Sequence, residues 1–379
     1  MRFDRRLFQG ILGPVAALAI IGVVVAVSPA RFVSATTAQL PVSAAWTQLA
    51  PPTSPPARFA AAMDYDAATG TTVLFGGSPN DSVGAASFAD TWTFDGANWT
   101  RKNPASSPAA RSGARMVYDP VRREIVLFGG CCDPNGGKFG DTWTWDGTNW
   151  TNQKPATSPP ARTFPGMAFD AAQGNVVLFG GCCGTAALCG PDPGELSDTW
   201  IWDGTTWTQR FPSRGPQPGP RQRAGVAYLA STSTVVMYGG LTCLNSDSDT
   251  WTWDGTTWTL AARGLPPGLN GPTMDEQSTC AVDALFGGAA GTGGHNKNNT
   301  WIWDGANWFQ MQPHHPLPVA RNRAAMAYQS SRGTAVLFGG CCRPDPIVAT
   351  QNDGLADTWV LSVACPRAYM PIIFKSPRH

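Results

Sequence analysis

Charged residues are scarce in this chain of 379 residues, and the two signs almost cancel. Lys and Arg together number 27 and Asp and Glu number 26, which gives a formal net charge of +1. Without a basic stripe the chain lacks the electrostatic footprint of a nucleic-acid-binding protein, so we predict no nucleic-acid partner. It also lacks a phosphate-binding Gly-rich loop between a strand and a helix, and it has no convincing amphipathic helix. These absences argue against the common nucleotide-binding classes.

Histidine is equally scarce, which limits the catalytic chemistry that the sequence predicts. The His residues are His295, His314, His315 and His379. No Ser/His/Asp or Cys/His arrangement can be assembled from them. We therefore predict no catalytic residue.

The chain does contain a repeat with a period of about fifty residues, a length typical of propellers and solenoids. Each copy has a short apolar run that ends in a Gly pair, then Asp-Thr-Trp or a near variant, then an Asp-Gly turn and a last Trp. Runs rich in Val, Phe and Trp predict β-strands. We divide each copy into strand a after a recurrent Arg, strand b ending at the Gly pair, strand c over Thr-Trp-x-Trp, and strand d around the last Trp. Strand c follows Asp90, Asp141, Asp198, Asp249, Asn299 and Asp357.

The repeat resembles the kelch repeat. The resemblance lies in the Gly pair after an apolar strand, the Trp that follows it, and a second Trp about seven residues later, as at Trp143 and Trp150. Kelch units form the blades of β-propellers, so the resemblance implies an all-β, six-bladed β-propeller with four-stranded blades of kelch type. It covers residues 44–365 and is similar in kind to the central domain of galactose oxidase.

The two ends of the repeat region predict how the ring closes. Trp46 to Leu49 has the form of a strand d with no other strand before it, and Asp357 to Leu361 has the form of a strand c with no strand d after it. We therefore expect the N-terminal strand to pair into the last blade, which removes exposed sheet edges. A monomer is expected.

The residues before the repeat predict export from the cell. Residues 1–35 combine basic residues with an apolar run from Ile11 to Val27, which is typical of a cleaved export signal; an uncleaved membrane anchor is the alternative. Residues 36–43 form a small polar linker, and residues 366–379 form a tail that is either disordered or a sorting element. The expected location is extracellular or at the cell surface, with membrane contact only through an uncleaved N-terminal segment.

Two recurrent residue types are expected to be structural. All 16 Trp fall at repeat positions, so we expect them to pack the blades. We expect the Arg before strand a to pair with the Asp before strand c, because the fifth copy lacks both and carries Leu269 and Asn299 instead. Losing one partner alone would leave a buried charge uncompensated. The predicted pairs are Arg58–Asp90, Arg111–Asp141, Arg162–Asp198, Arg221–Asp249 and Arg321–Asp357.

The Cys residues, 10 in number, predict disulfides in an exported chain. Most of them follow the Gly pairs, in b–c loops on one face, where adjacent Cys either close on each other or staple the loops. Their spacing does not match the Cys-x-x-Cys of zinc sites. Cys280, at an a–b turn, and Cys365, after the last strand c, are expected to form a bridge that locks the end of the ring. The other candidates are Cys131, Cys132, Cys182, Cys183, Cys189, Cys243, Cys341 and Cys342.

The longest b–c loops, from Cys182 to Ser197 and from Cys341 to Ala356, are expected to stand opposite each other. Loops on a rigid scaffold often carry binding residues, although Pro- and Gly-rich loops are also ordinary solvated turns. The ligand-binding candidates there are Asp192, Glu195, Arg343, Asp345 and Asp353. No cofactor is predicted. Calcium at Asp247 and Asp249 or at Asp81 is the alternative, but scattered loop carboxylates are usually solvated.

Two enzyme families with propellers differ from this chain at their catalytic groups. The galactose oxidase family uses copper with His and Tyr ligands and a Tyr joined to a Cys, whereas five of the Tyr here recur at repeat positions and His is scarce. Sialidases carry the Asp-box Ser-x-Asp-x-Gly-x-x-Trp, whereas the spacing Asp-Gly-x-x-Trp here is one residue short. Neither chemistry is favoured.

The sequence therefore predicts a binding module, with a protein or a glycan as the ligand of the b–c loop face. The alternative is an enzyme, either a glycan-active hydrolase or lyase or an oxidase, with its site on that face or in the central channel. A structural surface protein without a dedicated pocket is the third interpretation.

Overall fold

Each repeat folds into one blade of four antiparallel strands, and six blades close into a β-propeller. The computed structural model describes residues 42–80, 86–131, 137–183, 194–211, 215–242, 245–291, 295–341 and 354–365. Every regular element within these residues is a strand, and they contain no helix long and apolar enough to cross a membrane. The fold class predicted from the repeat is confirmed.

Within each blade the strands follow one another from the axis outward. The N-terminal strand is β1 (Ser43–Leu49). Blade 1 contains β2 (Ala62–Asp66), β3 (Thr71–Phe75), β4 (Thr91–Phe94) and β5 (Trp99–Lys102). Blade 2 contains β6 (Arg115–Asp119), β7 (Glu124–Phe128), β8 (Thr142–Trp145) and β9 (Trp150–Asn152). Blade 3 contains β10 (Gly166–Asp170), β11 (Asn175–Cys182), β12 (Glu195–Trp202) and β13 (Trp207–Arg210).

The second half of the ring repeats this order with one addition. Blade 4 contains β14 (Gly225–Leu229), β15 (Thr234–Tyr238), β16 (Thr250–Trp253) and β17 (Trp258–Ala262). Blade 5 comprises β18 (Leu269–Asn270), β19 (Thr273–Gln277), β20 (Val282–Phe286), β21 (Ala289–Ala290), β22 (Thr300–Trp303) and β23 (Trp308–Met311). Blade 6 contains β24 (Ala325–Gln329), β25 (Thr334–Phe338) and β26 (Thr358–Ala364). In blade 5, β18 and β21 pair separately as a short ribbon.

The N-terminal strand closes the ring as predicted. β1 pairs antiparallel with β26, with Trp46 opposite Leu361 and Leu49 opposite Thr358. The first strand of the propeller is therefore the outer strand of its last blade. Neither end can leave the ring without breaking the sheet of blade 6.

Strand b is apolar throughout because a neighbouring blade covers each of its faces. In β7, Ile125, Val126, Leu127 and Phe128 are all 0% exposed. Side chains alternate along a strand, so Ile125 and Leu127 pack toward blade 1, while Val126 and Phe128 pack toward blade 3. One core layer of this kind lies between each pair of adjacent blades.

An indole contact between neighbouring blades explains the Thr of the Asp-Thr-Trp motif. The Trp of strand d donates through Nε1 to the Thr Oγ1 of strand c in the preceding blade, at 2.8 to 3.0 Å. Because a buried indole N–H needs an acceptor, this bond fixes how each blade sits on the next. The pairs are Trp46–Thr300, Trp99–Thr358, Trp150–Thr91, Trp207–Thr142, Trp258–Thr199 and Trp308–Thr250.

The Gly pair lies where neighbouring blades touch. In blade 2, φ is 73° at Gly129 and 104° at Gly130. A Cβ on Gly129 would lie 2.6 Å from the carbonyl oxygen of Arg162 in blade 3, and Gly130 N donates to that same oxygen at 2.9 Å. The positive φ and the close approach both require Gly.

In four blades the recurrent Arg pairs with the Asp of the motif. Arg111 donates from its two Nη atoms to the two oxygens of Asp141 at 2.6 and 2.9 Å. Nη1 also donates to the carbonyl of Gly129, 18 residues away, which explains the constant spacing between this Arg and the Gly pair. Trp143 Nε1 donates to the same carboxylate at 2.7 Å, which explains Asp-x-Trp. The pairs Arg58–Asp90, Arg162–Asp198 and Arg321–Asp357 share this bidentate geometry.

Blade 4 departs from this pattern, and the predicted pair of Arg221 with Asp249 is wrong. Arg221 Nη2 instead lies 2.9 Å from Asp247 Oδ2, and Asp249 faces the exposed Arg263 at 3.5 Å. The other Asp247 oxygen accepts the backbone N–H of Ser248 and of Asp249. This local turn directs the Asp247 carboxylate toward the arginine, so Asp247 takes the place that the motif aspartate holds elsewhere.

Cys280 and Cys365 form the bridge that the sequence predicts, with their Cα atoms 5.7 Å apart. It joins the a–b turn of blade 5 to the residue after β26 in blade 6. Cys131 is also disulfide-bonded, and Cys341 is buried beside Phe59. Cys182 ends β11 and Cys183 follows it. Four other candidates lie outside the described residues: Cys132, Cys189, Cys243 and Cys342.

Candidate functional site

Six backbone hydrogen bonds form a closed ring around the axis, near the face that carries the b–c loops (the b–c face). Each member donates its N–H to the carbonyl of the preceding member at 2.7 to 3.1 Å. All six have φ between 53° and 66°. This left-handed backbone is costly for members that are not Gly, so the closed ring of bonds must hold it in place. The members of this axial ring are Ala60, Gly113, Phe164, Arg223, Gly271 and Arg323.

Two members of the axial ring place guanidinium groups at the centre of the b–c face. Arg223 Cζ lies 4.7 Å from the centroid of the Phe164 ring, and Arg323 Cζ lies 4.3 Å from that of Phe59. Arg323 Nε also donates to Asn322 Oδ1 at 3.2 Å. Stacking of this kind orients a guanidinium and removes part of its water shell. The centre of the face thus carries positive charge that is held against buried aromatic rings.

Among the predicted ligand-binding residues, Glu195 lies within the described part of the chain, and its setting differs from the expected loop. β11 continues past the Gly pair, so that Cys182 stands opposite Glu195 at the start of β12. Glu195 is 5% exposed and accepts a hydrogen bond from Gln222 Nε2 at 3.2 Å. The longer hairpin therefore turns this carboxylate toward blade 4. Asp192, Arg343, Asp345 and Asp353 lie outside the described residues, as does Asp81.

The central channel contains a cavity with a volume of about 430 Å³, lined by strand a of all six blades. Residues of the a–b turns also line it, including Ala67, Pro120 and Ser330. The cavity therefore reaches the face that carries the a–b turns (the a–b face). The axial ring lies at its opposite end. Its volume falls within the range of small-molecule pockets.

Two carboxyl groups enter this channel cavity from the third residue of strand a. Asp64 accepts the backbone N–H of Tyr118 in blade 2 at 2.6 Å, and Asp275 accepts that of Tyr328 in blade 6 at 2.5 Å. Each also accepts the N–H of the residue that follows it. Burial raises the pKa of Asp64 to about 6, and burial with repulsion from Asp64 raises the pKa of Asp275 well above its ordinary value. Both groups staple their blade to the next one.

Two more charged residues line the cavity from opposite blades. Arg115 begins strand a of blade 2, and its Nε donates to the carbonyl of Pro165 at 3.2 Å. Burial lowers the pKa of Arg115 to about 10, so it stays protonated at neutral pH. Glu276 in blade 5 accepts the backbone N–H of Ala230 at 3.0 Å, and burial raises the pKa of Glu276 to about 7.

Glu276 gives the protein a pH-dependent stability with a definite sign. A carboxyl with a raised pKa in the folded state stabilises the fold fully below its unfolded pKa, and this contribution is lost as pH rises through the folded pKa. With a rise from 4.5 to about 7, Glu276 should lose about 3 kcal/mol of stabilisation between about pH 4 and pH 8. We expect Glu276→Gln, which mimics the neutral acid, to reduce the slope of thermal-unfolding profiles across this pH window; Asp64 and Asp275, whose pKa values are also raised, keep part of that slope.

The ion-paired aspartates make stability depend on pH in the opposite sense to Glu276, and they do so in a different pH range. Although burial acts to raise it, hydrogen bonds from Arg111 keep the pKa of Asp141 below its ordinary value. Its contribution is present above that ordinary value and is lost only as the pH falls through the folded pKa.

A Glu276→Gln profile that ran parallel to the wild-type profile across the neutral window would contradict the assignment to Glu276.

The residues at the axis were not predicted, although exceptions within the repeat pointed to the charged ones. An alignment of the six strands a shows small residues at the first position except Arg115, and Val or Ala at the third except Asp64 and Asp275. The fourth position is aromatic except at Glu276. The residues that recur in every blade predict the architecture, not the site. A charge that replaces a repeat residue is not needed to build a blade, and it therefore marks a candidate for function.

Comparison with known proteins agrees with this repeat and this fold. A family model described as the KLHDC2/KLHL20/DRC7 Kelch-repeats domain matches residues 104–284. The solved structure of YjhT is similar with a TM-score of 0.60 and 12% identity, and the match covers 83% of this chain and 99% of that chain. At this identity the likeness concerns the fold alone. The chain is a six-bladed β-propeller, and the family match supports repeats of kelch type.

Proposed function

We propose that this propeller is a binding module outside the cell or at the cell surface, and that its b–c face binds a protein or a glycan through an acidic group. The observation that carries this proposal is the pair of stacked guanidinium groups of Arg223 and Arg323. The location rests on the export signal predicted in residues 1–35.

The chemistry of these two residues favours an acidic group on the ligand. A guanidinium that is already stacked and partly desolvated can bind a carboxylate with little further loss of hydration. The rings of Phe59 and Phe164 are 4% and 9% exposed, so they hold the guanidinium groups in place. Arg residues at the centre of a contact are among those that typically supply most of its energy.

The rigidity of the scaffold supports the same proposal. Arg223 and Arg323 belong to the axial ring, whose backbone bonds fix their Cα positions. A ligand that binds there loses little free energy to ordering of the protein backbone. The b–c loops that the sequence predicts to bind ligand leave their blades on this same face.

The test compares the wild-type protein with Arg223→Ala/Arg323→Ala on a glycan array and in a pull-down of surface proteins. We expect the double variant to lose about 2 kcal/mol of binding energy, or about thirtyfold in affinity. The matched control is Arg101→Ala/Arg210→Ala, since both residues are exposed on outer strands. Wild-type affinity in the axial variant, or bound ligands that lack acidic groups, would contradict the proposal.

An enzyme that acts on glycans from within the channel is the second candidate. The observation that favours it is the group of carboxyls with raised pKa in the channel cavity, Asp64, Asp275 and Glu276, because such groups often mark active sites. Turnover of a sugar panel by the wild type, abolished by Glu276→Gln, would support it. Absence of turnover across the panel would favour the binding module.

A further inference from the structure

We propose that the channel cavity is a second binding site, which takes a small zwitterion with an anionic group and an ammonium group joined by an apolar chain. Arg115 would bind the anion and Glu276 the ammonium. The cavity reaches the a–b face, and its lining includes neither Arg223 nor Arg323, so this site does not depend on the function proposed for the b–c face.

Arg115 is the first reason for this proposal. Its position holds a small residue in the five other blades: Ala62, Gly166, Gly225, Thr273 and Ala325. Its guanidinium lines the cavity, and it belongs to none of the ion pairs found within the described residues. An enclosed cation without a counter-ion costs stability. An anionic ligand would supply that counter-ion.

Glu276 is the second reason. It replaces the aromatic residue that all other blades carry at this position of strand a. Its contact within the described residues is the backbone N–H of Ala230, and this leaves one carboxylate oxygen to offer. Asp64 and Asp275 differ, because backbone N–H groups already occupy both of their oxygens. Glu276 is therefore the carboxylate best placed to receive an ammonium group.

The placement of the two charges sets the length of the ligand. Arg115 is the first residue of strand a in blade 2, and Glu276 is the fourth residue of strand a in blade 5. In a six-bladed ring these blades stand opposite each other. Three residues along a strand correspond to about 10 Å. The two charged residues therefore lie at different depths along the channel as well as on opposite sides of it. An anion bound near the axial ring and an ammonium nearer the a–b face would fit this arrangement.

Apart from the carboxyls of Asp64 and Asp275, whose oxygens already accept backbone N–H groups, much of the wall between the two charges is apolar and adaptable. The second residue of strand a is Met in five blades and lines the cavity in each: Met63, Met116, Met167, Met274 and Met326. Unbranched thioether side chains adjust to irregular apolar shapes. An alkyl or aromatic segment between the two charged groups would meet complementary surface there.

The test uses 6-aminohexanoate as the probe, with hexanoate and hexylamine as probes that carry one charge each. Calorimetric titration of the full chain is expected to show saturable binding of 6-aminohexanoate, at least about tenfold tighter than either single-charge probe. Arg115→Ala should bind 6-aminohexanoate no more tightly than it binds hexylamine. Glu276→Gln should bind 6-aminohexanoate no more tightly than it binds hexanoate. Arg101→Ala/Arg210→Ala, whose residues are exposed on outer strands, should bind the probe like the wild type.

Stability distinguishes a binding role for Arg115 from a structural one. Arg115→Ala restores the residue that blades 1 and 6 carry at this position. We therefore expect a higher melting temperature together with lost probe binding, as for residues kept for function at the expense of stability. Three results would overturn the proposal: no saturable binding of the zwitterion at millimolar concentration, wild-type binding by Arg115→Ala, or a lower melting temperature in that variant.

Discussion

Asp141→Asn is expected to lower the free energy of unfolding by about 3 to 5 kcal/mol, and adding Arg111→Leu is expected to recover much of that loss. Arg111 is 1% exposed, whereas Asp141 is 27% exposed. The single substitution therefore leaves a buried guanidinium without its carboxylate, while the double substitution removes both charges. Blade 5 already carries Leu269 and Asn299 at these positions and still forms a four-stranded sheet.

The order of the single variants is a second part of this prediction. Arg111→Leu alone should cost less than Asp141→Asn alone, because water can reach the remaining carboxylate, but it should cost more than the double variant. A control is Asp249→Asn, whose partner Arg263 is 68% exposed; a pair at the surface contributes at most about 1 kcal/mol. Urea denaturation midpoints measure all four variants. Losses that simply add in the double variant would show that the two charges do not stabilise each other.

Removal of the Cys280–Cys365 bridge is expected to cost about 4 kcal/mol. The two Cys are separated by 85 residues, and a disulfide that closes a loop of this size restricts the unfolded chain strongly. The bridge also ties the end of β26, and with it the closing strand β1, to blade 5. We expect Cys280→Ser/Cys365→Ser to lower the denaturation midpoint without changing the fold.

The comparison must be made between oxidised proteins, because Cys131 is also disulfide-bonded. The midpoint of the oxidised wild type minus that of the oxidised double-Ser variant isolates the Cys280–Cys365 bridge. Reductant should then shift the wild type further than it shifts the variant. Equal midpoints for the two oxidised proteins would contradict a stabilising bridge.

The repeat made most of the architecture predictable. Its spacing predicted the six blades, the outer position of the first strand and four of the Arg–Asp pairs, because each of these depends on residues that recur. The pair in blade 4 was not predictable, since Asp247 and Asp249 lie two residues apart in one loop and only the backbone turn selects between them. The burial of Glu195 was hidden for a similar reason, because the sequence does not show that β11 and β12 extend beyond the Gly pair.

The candidate sites were harder to predict than the fold. The axial ring requires left-handed backbone at Ala60, Phe164, Arg223 and Arg323, and these residue types give no local sign of it. The channel charges were visible as exceptions to the repeat, but their convergence on one cavity depends on closure of the ring. The proposed sites lie where the blades differ, whereas the fold rests on the residues that the blades share.

The measurement that tests the proposed function most directly is amide hydrogen exchange of the protein with and without its captured ligand. We expect protection on binding to centre on the axial ring and its neighbours, from Phe59 to Ala60, at Phe164, and around Arg223 and Arg323. Protection confined to the a–b turns and the channel strands, with the b–c face unchanged, would contradict it.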